Sequence, residues 1–197
     1  LMKKITGQPD YALARLNLGE VYGKTQRYNE AIIELGHAIK ANPSMFLAHY
    51  NLGTAYMLTG SYNNAELSFK ACLKLNPNHE PALFNLARVY QNKKQWINSN
   101  EAFNEFIKIK GPNPSVYSEI AWNNLMSGNI EQASTLYEKV LSYEPTHKAA
   151  LINLAKINYR FGKYKISQSY IERALKQDLP QTQSDDLNEL LKKLSVY

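Results

Sequence analysis

Apolar and small residues return along this chain every 34 positions. The stretch YNLGTAY at 50–56 is preceded by LNLGEVY at 16–22 and followed by FNLARVY at 84–90 and, later, INLAKIN at 152–158. Aligned from Ala12, five blocks follow without a gap: 12–45, 46–79, 80–113, 114–147 and 148–181. Position 7 of each block holds Leu18, Leu52, Leu86, Ile120 or Leu154, and position 8 holds Gly19, Gly53, Ala87, Ala121 or Ala155. Position 20 is Ala or Ser throughout, and position 24 is Leu35, Phe69, Phe103, Tyr137 or Ile171.

The spacing inside a block predicts two amphipathic helices, A and B. In block two, Leu52, Ala55, Tyr56 and Thr59 recur at helical intervals, as do Ala65, Phe69, Cys72 and Leu73. Gly60, at position 15, can take positive φ and end helix A. Asn76-Pro77 stops helix B, because proline has no N–H and disfavours helix at the residue before it. Small residues at positions 8 and 20 let the two backbones approach, and the large ones at 4, 7, 11, 17 and 24 fill the remaining space. After the fifth block, 184–197 reads SDDLNELLKKLSVY, with Leu187, Leu190, Leu191 and Leu194 on one stripe. Ser184 is the expected N-cap, with Asp185 and Asp186 suited to the helix dipole. This stretch has the pattern of a polar-faced capping helix that closes a repeat array.

The pattern resembles the tetratricopeptide repeat (TPR), with its 34-residue period and W-x₂-L-G-x₂-Y…A-x₃-F…P signature. The resemblance covers nearly the whole chain. It implies an all-α, right-handed α-solenoid, a superhelix of helix-turn-helix units with a C-terminal capping helix. Three positions depart from the family pattern. Asn124 and Asn158 replace Tyr at position 11, and Phe106 replaces a small residue at position 27. These predict local repacking within the same fold. Residues 1–11 align with the tail of a preceding helix B, which predicts that the natural protein continues upstream.

Composition narrows the function. A chain that is 44% hydrophobic and 20% charged suits a soluble, folded protein. No apolar run approaches the roughly 20 residues that cross a bilayer, so membrane insertion is not expected. The formal charge is +6, concentrated after residue 147, without the dense Lys/Arg cluster of a nucleic-acid groove. The single cysteine, Cys72, rules out an intramolecular disulfide and reads as a small core residue. It favours a reducing, cytoplasmic setting and leaves other compartments open. The four histidines have no His or Cys partner at metal spacing, and no phosphate-cradling glycine loop or nucleophile motif is present. Neither enzymatic activity nor a cofactor or metal is expected of this segment.

What remains is binding. The family geometry places positions 2, 5, 6, 9, 12 and 13 of helix A on a concave groove. Position 6 is Asn17, Asn51, Asn85, Glu119 and Asn153. An amide donates and accepts, so it can hold the N–H and C=O of a peptide backbone. Packed helices lie about 8–10 Å apart and an extended chain advances about 3.3 Å per residue, so an Asn ladder meets roughly every third ligand residue. This ladder is similar to the one in the TPR superhelix of O-linked N-acetylglucosamine transferase. Tyr50, Phe84 and Trp122 are the expected aromatic anchors, and Arg88, Lys156 and Arg160 the expected partners of acidic groups. The carboxylate clamp of co-chaperone TPR domains is not expected: Leu16 and Glu20 stand at its first-repeat positions, Pro81 and Asn85 at its third-repeat positions, and only Asn51 matches.

The reading is therefore a protein-interaction scaffold that takes an extended segment of a protein or peptide partner. Two alternatives stay open: a structural or oligomerising spacer in a larger assembly, and a substrate-recruiting domain of a larger enzyme. The ends of the array leave room for self-association.

Overall fold

The computed structural model describes residues 9–194. They form eleven α-helices and, among the described residues, no strand. The helices fall into two compact units that meet in the sequence at Gly111–Pro112. The first unit holds α1 (Pro9–Lys24), α2 (Tyr28–Ala41), α3 (Phe46–Leu58), α4 (Tyr62–Leu75), α5 (Glu80–Asn92) and α6 (Trp96–Lys110). The second holds α7 (Pro114–Met126), α8 (Ile130–Tyr143), α9 (Lys148–Arg160), α10 (Tyr164–Leu175) and α11 (Gln181–Leu194). In each unit the helices pack as consecutive pairs, α1 on α2 and α3 on α4 for example, and within a unit the second helix of a pair packs on the helix that follows it, α2 on α3, α4 on α5, α8 on α9 and α10 on α11. This is the expected all-α solenoid of helix-turn-helix units. In the first unit the A helices also touch one another, α1 on α3 and α3 on α5.

All five A–B turns share one stop signal. Position 15 is left-handed in each: Gln26 (φ 60°), Gly60 (76°), Lys94 (56°), Gly128 (87°) and Gly162 (70°). At Gly60 the Ser61 N–H reaches back to the Tyr56 carbonyl at 2.8 Å and the Gly60 N–H to that of Met57 at 3.1 Å. This double bond pattern closes a Schellman cap. Helix starts vary more. Asn113 caps α7 by accepting from the Val116 N–H at 3.1 Å. His79 and His147 do the same for α5 and α9 through Nδ1, from the Ala82 and Ala150 N–H groups at 3.2 and 3.3 Å. Two of the four histidines are thus helix caps.

The core repeats a small-to-large contact between positions 8 and 24. A Cβ added to Gly19 would lie 2.6 Å from Cγ of Leu35, and one on Gly53 would lie 2.8 Å from two ring carbons of Phe69. In the later repeats Ala87, Ala121 and Ala155 take position 8, and Phe103, Tyr137 and Ile171 take position 24; all six are fully buried. Cys72 is also fully buried, and burial pushes its thiol up to about 11. The two departures at position 11 are satisfied inside their own helices. The amides of Asn124 and Asn158 donate to the carbonyls of Ile120 and Leu154, each at 2.8 Å. Phe106 packs its ring 5.8 Å from that of Phe84.

Two expectations shift at the ends. Residues 1–8 of the expected helix-B tail lie outside the described residues, and Pro9, Asp10 and Tyr11 form the first turn of α1. Ser184 does not cap the last helix. The backbone N–H groups of Gln183 and Ser184 both bond to the Pro180 carbonyl, at 3.0 and 3.1 Å, so α11 starts one turn earlier, at Gln181. Its expected stripe is in place: Leu187 and Leu194 are buried, and Leu190 and Leu191 half-buried. Residues 195–197 lie outside the described residues.

Candidate functional site

In the first unit, α1, α3 and α5 carry Asn17, Asn51 and Asn85 at equivalent turns. Asn17 is exposed, and the other two are half-buried. The Asn51 amide donates to Oε1 of Glu20, one helix A back, at 2.9 Å. The Asn85 amide points the same way and donates to the Tyr50 hydroxyl at 3.5 Å, the long limit of such a bond. Asn51 and Asn85 are therefore each tied on the N–H side to a side chain of the preceding helix A. An amide has two N–H donors and an acceptor oxygen, so one intramolecular bond leaves capacity for a ligand.

The aromatic anchors are partly embedded. Tyr50 is half-buried, with its ring 6.0 Å from Phe69 and 4.7 Å from His79. Phe84 sets its ring 5.5 Å from Phe103, edge-on. Position 5 as a whole lies closer to the core than to a groove, since Leu16 and Ser118 are buried. Arg88 is exposed on α5.

Between α1, α2 and α3 lies a cleft of about 390 Å³. Its floor includes Gly19, Ala31, Leu35 and Ala55, and its walls include Tyr50, Asn51 and Thr54. Glu20, Lys24 and Tyr28 add polar groups. Gly23 also lines it, and the expected site did not include that residue. The signal was present as a break in the repeat, because position 12 is otherwise Met57, Gln91, Leu125 or Tyr159.

The second unit treats its residues differently. Asn153 donates both to the Tyr137 hydroxyl, at 3.0 Å, and to the Ala149 carbonyl, at 2.9 Å, so its N–H groups serve the fold. Tyr137 is fully buried; burial, with a further push from Glu119, holds its phenol well above the usual range. Trp122 is 38% exposed on α7. Lys156 and Arg160 are exposed on α9, with Lys156 at 3.9 Å from Asp186 of α11.

Among the described residues no group of three or more His, Cys, Asp and Glu side chains could hold a metal ion. No described helix is long and apolar enough to cross a membrane. The geometry on both units is that of stacked helical hairpins presenting a side-chain surface, the class of helical-repeat proteins. Tetratricopeptide repeat family models match residues 12–45, 46–79, 68–99 and 124–188. The chain belongs to the tetratricopeptide repeat family. No curated protein matches it by sequence. Solved structures share the fold at low identity. MamA (41-end) from Desulfovibrio magneticus RS-1 is 19% identical with a TM-score of 0.78, over 86% of this chain and 98% of that one. YrrB, described as a TPR protein with an unusual peptide-binding site, is 14% identical with a TM-score of 0.79, over 95% and 97%. A tetratricopeptide repeat protein from Parabacteroides merdae is 19% identical with a TM-score of 0.72, over 99% and 75%.

Proposed function

We propose that this chain is a protein-interaction scaffold whose first unit holds an extended segment of a partner along the A helices. The observation that carries the reading is the open cleft beside Asn51, on the helix surface where three equivalent asparagines recur. Asn17, Asn51 and Asn85 contact the partner's backbone, which makes the grip tolerant of sequence. The exposed edges of Tyr50 and Phe84 and the guanidinium of Arg88 select side chains. That YrrB, a neighbour in fold, is described as carrying a peptide-binding site supports the reading. Within the second unit Trp122, Lys156 and Arg160 offer a separate surface for aromatic and acidic groups, beside Asn153, whose amide N–H groups are held by Tyr137 and Ala149.

The test is a pull-down from source lysate with the parent chain beside Asn51→Ala/Asn85→Ala, followed by affinity measurement on the purified partner. Partners held by the parent and lost by the variant place binding on the A helices. Equal affinity for both sinks the proposal and moves the interaction to the B helices or the ends.

A further inference from the structure

Gly23 has no structural reason to be glycine. It lies in the last turn of α1 without positive φ, and a Cβ built on it meets nothing within 4 Å. Gly19 and Gly53 are different, since each stands against a large side chain. At the position equivalent to Gly23 the second repeat has Met57, which packs on the cluster of Ala65, Phe69, Leu86 and Tyr90. The first repeat has the matching floor, Ala31, Leu35 and Ala55, and nothing on position 12 to cover it. The cleft of about 390 Å³ is thus a slot that the chain fills with its own methionine one repeat later.

We infer that this slot, in the groove of the proposed function, is a specificity pocket for a leucine- or methionine-sized side chain of the bound peptide. The inference rests on that groove reading and adds the side chain it selects. The rim supplies the second element of recognition. Glu20 is turned to the Asn51 amide, while Lys24, one helical turn on, is exposed at the edge of the slot. A carboxylate next to the aliphatic residue on the ligand complements that ammonium. The occupant is a peptide with an aliphatic residue adjoining Asp or Glu, its backbone passing Asn51.

The experiment selects a random peptide library on the immobilised chain, then measures the selected peptide, fluorescein-labelled, by anisotropy. The variants are Gly23→Met, Lys24→Glu and Asn51→Ala/Asn85→Ala. The parent enriches peptides with Leu or Met beside an acidic residue. Gly23→Met, which copies the second repeat, keeps its circular dichroism, melts no lower than the parent and loses about tenfold or more in affinity, the scale of one aliphatic side chain in an apolar pocket. Lys24→Glu shifts selection to a basic neighbour, which keeps the pocket testable should Gly23→Met misfold. If the asparagine variant loses binding while Gly23→Met stays within twofold, the pocket is refuted and the groove stands. A selected motif without an aliphatic residue also refutes the pocket. No enrichment by the parent overturns both readings.

Discussion

Replacing Gly53 by alanine sets two opposing energies against each other inside one helix pair. Alanine is about 1 kcal/mol better than glycine in a helix interior. Its methyl, however, would sit 2.8 Å from Cδ1 and Cε1 of Phe69 and 3.1 Å from Cγ. Relaxed carbon contacts lie at about 3.5–4.0 Å, so the ring must retreat by about 0.7 Å or more. Phe69 is fully buried and flanked by Tyr50, and overpacking of that kind costs about 1–3 kcal/mol. The expected net is a loss of about 0–2 kcal/mol, read from urea denaturation followed by circular dichroism. The third repeat supplies the control. Ala87 and Phe103, both fully buried, hold the equivalent positions 8 and 24 there, so Ala87→Gly loses helix propensity plus one buried methyl, about 1–2 kcal/mol. Adding Phe69→Leu to Gly53→Ala should recover part of the loss, giving a coupling of about 0.5 kcal/mol or more. Gly53→Ala stabilising by the full 1 kcal/mol would show that the ring does not constrain position 8.

Three further outcomes follow from the same geometry. Glu66 accepts from Lys70 and Lys93, each at 2.6 Å; burial raises its pKa, but those bonds outweigh it and hold the carboxyl below the usual range. Its contribution is therefore present above about pH 4.3 and lost as pH falls through the folded value; Glu66→Gln should lose about 1 kcal/mol at neutral pH and flatten the acid limb of a stability-versus-pH curve. Burial, opposed by Glu80, lowers the pKa of His79, so its neutral form stabilises above about pH 6.5 and the gain fades below it; His79→Asn, which keeps a capping acceptor, should remove that slope between pH 7 and 5 in thermal melts. Lys94 holds φ 56° where three other repeats use glycine, so Lys94→Gly should raise stability by about 1 kcal/mol by relieving the left-handed strain, and an unchanged midpoint would refute that origin.

The hairpins were legible in the sequence because their packing is local and repeats in register. Gly19 against Leu35 and Gly53 against Phe69 are contacts within one block, so the 34-residue period displays them directly. The candidate site was legible only as a set of positions. Asn51 looks like Asn153 in sequence, yet one donates to Glu20 of the preceding helix A and the other to Tyr137 and its own helix. The difference arises because only the fourth repeat has a hydroxyl at position 24, and a hydroxyl within reach captures the amide. Their place on helix A marks Tyr50 and Phe84 as expected groove anchors in the sequence, while their depth depends on His79, Phe103 and Phe106. The start of α11 escaped because the Pro180 carbonyl, not the Ser184 side chain, opens it.

The division at Gly111–Pro112 gives each unit its own reporter. The chain has two tryptophans: Trp96 opens α6 of the first unit, and Trp122 lies on α7 of the second. One Trp→Phe substitution at a time leaves a single fluorophore in a known half, so emission during denaturation tracks that half alone. Coincident midpoints would mean that the two halves melt as one cooperative block; separated midpoints would measure how little melting of one half drives melting of the other.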